Sequence, residues 1–208
     1  MPYDPNRHHR RSIRLKGYDY SQAGAYFITL CTQDRACLFG KVVNGEMRLN
    51  DAGRMVLAEW NRLPERFPQV VVDAFVVMPN HVHGILVITD PAPTVGATPT
   101  VGATLVVAPT VGNIIGAFKS RVTVEYIRGV KTSGWPPFRG RLWQRNYYEH
   151  IIRNERALNA IRQYIMENPR RWHRDREKEA RSASDPLAQA IRNMPKQEET
   201  DHSPGGEP

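Results

Sequence analysis

Two histidines separated by one valine, His81-Val82-His83, open the apolar, β-branched stretch HVHGILVIT. Side chains alternate faces along a strand, so both imidazoles would project from one side, with Val82 buried on the other. Neutral imidazole nitrogens on a common face can serve a single metal ion. Gly84, which follows, leaves space for a close backbone or substrate approach. Taken alone, the triplet is equally the pattern of two unrelated histidines. A second pair is Tyr164 and Asn168, four residues apart and so on one face of a helix. Each has an ordinary structural use, Tyr164 as a core aromatic and Asn168 as a helix-terminal residue ahead of Pro169. Together they also have reactive potential. A phenol oxygen can be a covalent nucleophile, and an amide carbonyl one turn away can be a third metal ligand. Two histidines and one oxygen leave coordination positions open for phosphate oxygens, which suits a Lewis acid that polarises a phosphodiester.

Cations and rings interleave in a third group: Lys119, Arg121, Arg141, Trp143, Arg145, Tyr147, Tyr148, His150 and Arg153. Rings that stack on bases and cations that meet phosphates suit an unpaired nucleic-acid strand, and the same composition also serves packing with a solvated rim. Residues 1–20 form a basic arm with Arg7, Arg10, Arg11, Arg14 and Lys16, read either as a DNA contact or as a disordered terminus. The 208-residue chain has 29 basic and 21 acidic side chains, a formal charge of +8 that attracts polyanions. Cys31 and Cys37 have no CxxC spacing and no Cys/His quartet around them, which disfavours a structural zinc or a disulfide framework. No apolar run approaches the ~20 residues of a membrane span, and no signal peptide opens the chain. The expected location is the cytoplasm.

The elements that must position these residues follow from periodicity and turn chemistry. AYFITLCT (25–32) reads as a strand, and FGKVVNGEMRL (39–49) as a hairpin about Asn44-Gly45. Asp51 is placed to cap a helix reaching about Phe67, with Met55, Val56, Leu57, Trp60 and Leu63 at helical spacing. VVVDAFVVM (70–78) and HVHGILVIT (81–89) read as adjacent strands joined at Pro79-Asn80. Residues 90–112 contain PTVGAT twice in tandem and PTVG a third time, a low-complexity insertion read as a mobile loop. A helix is expected over 113–128 and a short strand within 142–152. Residues 155–167 form an amphipathic helix capped by Asn154 and ended by Asn168-Pro169. A charged tail expected to be disordered occupies 173–208, leaving 21–172 as the domain. Hairpin-joined strands and irregularly placed helices predict an α+β sandwich, one largely antiparallel sheet with helices packed on it.

Three stretches in this order, VVMPNHVHGILVI, LWQRNYYEHIIRNERAL and IRQYIMENPRRW, resemble the REP-associated tyrosine transposases, a branch of the single-tyrosine transposases in the HUH (His-hydrophobe-His) endonuclease superfamily. The resemblance covers about residues 12–172. It implies a ferredoxin-like α+β domain that cleaves single-stranded DNA with a divalent metal and a tyrosine, forming a 5′-phosphotyrosine and a free 3′-hydroxyl that can rejoin strands without ATP. It implies His81, His83 and Asn168 as metal ligands, Tyr164 as nucleophile, and hairpin-forming palindromic repeats as substrate. The resemblance tips the metal to Mg²⁺ or Mn²⁺, although histidines alone would also tolerate zinc or nickel. Arg10, Arg11, Arg14, Lys16, Lys119, Arg121, Arg145, His150 and Arg153 are the candidate DNA contacts. Tyr164 is preferred over Tyr147, Tyr148 and Tyr126 because it alone has an asparagine at i+4 on a helix. The repeat insertion and the tail lie outside the match, and the insertion could shield or crowd a DNA groove.

Three other readings compete. A ferredoxin-like sheet bearing aromatics can bind single strands without chemistry. A replication initiator or relaxase would use the same chemistry but usually carries a further domain, for which 208 residues leave no space. A small-substrate metal hydrolase is disfavoured by the basic charge. Monomer and homodimer both stay open.

Overall fold

The computed structural model describes residues 19–90 and 109–178. The arm residues Arg10, Arg11, Arg14 and Lys16, most of the repeat insertion and the tail from 179 lie outside the described residues.

Strands β1 (Gly24–Cys31), β4 (Val70–Val77), β5 (His81–Ile88) and β6 (Tyr148–Ile152) form one sheet in the order β4-β5-β1-β6, and every neighbouring pair is antiparallel. Strands β2 (Gly40–Val43) and β3 (Glu46–Leu49) make a separate hairpin. Its turn residues Asn44 and Gly45 have φ of 54° and 78°, the left-handed pair that a two-residue connection requires. Helices α1 (Asp51–Asn61) and α2 (Leu63–Arg66) follow the hairpin, α3 (Val111–Ser133) follows β5, and α4 (Glu155–Lys178) follows β6. With the hairpin set aside, the order through β6 is β-α-β-β-α-β, to which α4 is added, and β5 inserts between β1 and β4 as in the ferredoxin-like split βαβ arrangement. The α+β expectation holds, and the short strand expected within 142–152 is β6, which closes the sheet beside β1.

Alternation along the strands sends Tyr26, Ile28 and Leu30 of β1 and Val82, Leu86 and Ile88 of β5 to one face. There they join Val56 and Trp60 of α1 and the stripe Ile114, Phe118, Val122 and Tyr126 of α3 in one core. Trp60 stacks flat on Phe75 at 4.3 Å and meets Phe118 edge-on at 5.4 Å. Gly84 serves this face. A Cβ there would lie 2.5 Å from Trp60 and 2.8 Å from Phe75, so the space expected for a substrate is filled by the core.

Three helices differ from expectation at their ends. Asn50, one residue before Asp51, caps α1 by accepting from the Gly53 amide at 2.8 Å, and α1 stops at Asn61 because Pro64 cannot donate to the Trp60 carbonyl. α3 begins inside the last PTVG copy, where Thr110 and Asn113 form a capping box and Val111 is fully buried. α4 continues through Pro169 to Lys178. Trp172, 5% exposed, packs beyond the proline, and tertiary burial overrides the local preference to stop. Among the described residues no helix is long and apolar enough to cross a membrane.

Gly84→Ala should destabilise the fold by about 1–3 kcal/mol through overpacking against Trp60. Urea unfolding measures this, and an unshifted midpoint would mean that α1 yields freely to a methyl group.

Candidate active site

The opposite face of the sheet carries the candidate residues. In register, Cys31 lies across from His81, Thr29 from His83 and Phe27 from Ile85, so these residues share a face. The His81 and His83 rings are 4.6 Å apart between centroids. Phe27 stacks against His83 at 5.5 Å. α4 crosses this face. Its Tyr164 ring lies 5.3 Å from His83, and Trp172 lies 5.9 Å from His81. Tyr164, Asn168 and Trp172 follow one another at four-residue spacing, which brings all three to the histidine pair.

The outer nitrogens of the histidines are set by neighbours. Asn80 donates through Nδ2 to the Arg35 carbonyl at 3.1 Å, which turns its Oδ1 to His81 Nδ1 at 2.7 Å. An amide oxygen only accepts, so His81 Nδ1 carries the proton and Nε2 presents a lone pair. His83 Nδ1 lies 2.8 Å from the Thr29 hydroxyl, which accommodates either tautomer and so permits the same arrangement. The turn holding Asn80 is itself fixed. The Thr32 amide and hydroxyl both donate to the Asn80 carbonyl at 2.9 Å, and the Leu38 amide donates to the Pro79 carbonyl at 2.8 Å.

Burial pushes His81 down to about 4; the Asn168 side chain opposes this, and the Arg35 charge adds to it. His83 falls well below its ordinary value through burial and then the charge of His81. Both are therefore neutral near pH 7, the form that binds metal. Asn168 is 1% exposed. It stands close enough to favour the protonated form of His81, yet neither its Oδ1 nor its Nδ2 makes a hydrogen bond of ordinary geometry among the described residues. A buried amide without partners is costly unless something is to be bound there. No cluster of three His, Cys, Asp or Glu among the described residues could hold a metal, so the third donor must come from another residue type. The Asn168 carbonyl could supply one, and two imidazoles with an amide oxygen are donors that suit a divalent cation.

The other sequence candidates scatter. His150 lies across from Phe27 on the site face, at the edge strand, and burial followed by the Arg153 charge lowers its pKa. Arg145 and Arg153 are exposed on either side of β6. Lys119 donates to the Gln144 carbonyl at 2.7 Å, a main-chain tether. Arg121 belongs to the α1–α3 layer across the sheet, paired with Glu59 at 3.4 Å and Glu125 at 3.0 Å, and is not brought to the histidines. Tyr126 is fully buried and donates to the Pro136 carbonyl at 2.9 Å. Trp143 is core, against Phe39 and Phe118. Thr29, Asn80 and Trp172 escaped sequence reasoning. Asn80 directly precedes the histidine strand, and Trp172 continues the i, i+4 series of Tyr164 and Asn168, so both carried a readable signal. Thr29 carried none before the strands were paired.

A protein of Haemophilus influenzae described only as uncharacterised is 42% identical over 180 residues, covering 83% of this chain and 95% of that one. No protein-family model matches the chain. Among solved structures, a REP-associated tyrosine transposase bound to a REP hairpin is 19% identical with a TM-score of 0.48, over 76% of this chain and 73% of that one. A Deinococcus radiodurans protein described provisionally as a transposase is 21% identical with a TM-score of 0.38, over 74% of this chain and 96% of that one. Likenesses at that level leave function to be argued from the site.

The buried His83 and the half-buried His81 and His150 imply a pH signature. His81 takes up its proton at the ordinary 6.5 when unfolded and at about 4 when folded. Between those values the unfolded chain binds more protons, so stability rises with pH. His83 and His150 shift in the same direction. The urea midpoint should fall as pH drops from 6.5 to 4, and His81→Gln should flatten that slope. Asp73 is lowered from 3.8, so its contribution is lost only below that window. A wild-type midpoint that stays constant across the window would contradict imidazoles held neutral in the fold.

Proposed function

The chain belongs to one family with the Haemophilus influenzae protein, and from its site we propose a single-tyrosine transposase that cuts single-stranded DNA at hairpin-forming palindromes and rejoins it through a 5′-phosphotyrosine. The observation that carries the proposal is one juxtaposition. The Tyr164 ring lies 5.3 Å from His83, whose ring is 4.6 Å from that of His81, and the buried amide of Asn168 follows one helical turn on.

A divalent ion held by His81, His83 and Asn168, Mg²⁺ or Mn²⁺ in this proposal, would draw charge from the phosphate and favour a nearby phenolate, which is otherwise scarce for a group with a pKa of about 10. Tyr164 Oη forms its bond to phosphorus as the bond to the 3′-oxygen breaks. The phenol gives up its proton, the departing oxygen gains one, and the phosphate remains on the tyrosine. One phosphoester replaces another, so the 3′-hydroxyl can reverse the step without ATP. Asn80 and Thr29 hold the imidazoles in the required orientation, and Trp172 closes the site beside His81.

The basic balance of the chain, +8, suits a polyanion. Arg145, His150 and Arg153 are the described side chains best placed for its phosphates, and Arg10, Arg11, Arg14 and Lys16 join them on sequence grounds alone. The hairpin substrate follows from the sequence resemblance, and a REP hairpin is what the similar transposase holds.

Incubation with a labelled hairpin oligonucleotide and Mn²⁺ should give a covalent protein–DNA band. Tyr164→Phe should abolish the band and keep hairpin binding, while Tyr148→Phe should retain both. An adduct formed by Tyr164→Phe would place the nucleophile elsewhere. His83→Ala should slow cleavage about 100-fold or more, since losing only an outer partner of a ligand typically costs 10–100-fold. Undiminished cleavage by that variant in excess chelator would refute the metal role.

A further inference from the structure

Tyr164 and Asn168 both ride on α4, yet few Cα atoms of this helix come near those of any strand. Side chains hold it in place. Ile161, Ile165 and Trp172 are buried, but apolar contacts have no direction and tolerate rotation and sliding. A directional contact is added to these. Arg162 donates through Nε to Asp73 Oδ1 at 2.9 Å and through Nη2 to Oδ2 at 2.6 Å. Its Nη1 donates to Asn159 Oδ1 at 2.9 Å, which fixes the guanidinium from within α4. Asp73 sits at an irregularity of β4. Val72 lies across from Leu86 and Phe75 from Gly84, so Asp73 and Ala74 together oppose Ile85. The same Asp73 Oδ1 accepts from the Ala74 amide at 2.6 Å, which stiffens the bulge.

We infer that the Asp73–Arg162 fork is a positioning device: it sets the rotation and axial position of α4, and so where the Tyr164 hydroxyl meets a phosphate held over His81 and His83. Arg162 precedes Tyr164 by two residues, about 3 Å along the helix axis. A bidentate guanidinium–carboxylate pair fixes orientation as well as distance, which a lysine ammonium cannot do. The side chains are 37% and 21% exposed, so the pair adds little to stability and its effect is geometric. The inference rests on Tyr164 as nucleophile.

The test compares Asp73→Asn, Arg162→Lys and the reversed pair Asp73→Arg with Arg162→Asp. Single-turnover adduct formation is followed at saturating hairpin DNA and Mn²⁺, beside hairpin affinity and amide hydrogen exchange. The single variants should form adduct about 10- to 100-fold more slowly, the loss expected from a small misplacement of a reacting group. They should keep hairpin affinity and show faster exchange in α4 but not in β1 or β5. The reversed pair should recover much of the rate. Wild-type rates in both single variants, or slow rates with α4 exchange unchanged, would overturn the inference. If wild type itself gave no Tyr164 adduct, the reading of the site would fail, and exchange in α4 alone would decide the clamp.

Discussion

Two imidazoles, His83 buried and His81 half-buried, are kept neutral inside a strongly basic protein, and much of the architecture serves that condition. A charged histidine at either position would lose its hydration without an acid beside it, so burial selects the uncharged ring. Each ring then needs a partner for Nδ1, and each finds one in a different element: the Asn80 amide in the turn before β5, and the Thr29 hydroxyl on β1. Phe27 and Trp172 supply the apolar walls. The Pro79-Asn80 turn is tied in turn to residues 32, 38 and 39, so the loop leaving β1 supports the strand that carries the site.

The two faces of the sheet are held differently. On one, α1 and α3 share a continuous aromatic and aliphatic core with the strands. On the other, α4 lies across the histidines on a few large side chains and one ion pair. Tyr164, the proposed nucleophile, thus sits on the helix that faces the histidines and not on the helices of the main core. Among the described residues Asn168 is the most buried polar side chain of α4, and neither of its amide atoms has a hydrogen bond of ordinary geometry, as expected where a site retains unmet bonding capacity for a ligand.

Much of this was legible in the sequence, for physical reasons. Alternation in HVHGILVI and the Asn44-Gly45 turn are local rules, and the strands and hairpin fall where those rules place them. The convergence of Tyr164 and Asn168 on the histidines followed from helical spacing plus one docking event. What failed was non-local. Pro169 reads as a terminator until Trp172 finds a buried place, and the pairing of Arg121 with Glu59 and Glu125, away from the histidines, joins residues far apart in the chain. The role of Gly84 could be judged only once Trp60 was seen to fill its space.

That glycine has a consequence for how the strand finds its place. β5 lies between two partners, and a shift of one residue would turn both histidines into the aromatic core and Val82 into the site. A shift of two would restore the faces but bring Val82 or Leu86 beneath Trp60, where only a residue without a side chain fits. The missing Cβ therefore works as an index mark: among neighbouring alignments of the strand, one alone lets the indole lie flat against Phe75. Fidelity of assembly at the histidines is thus enforced from the far side of the sheet.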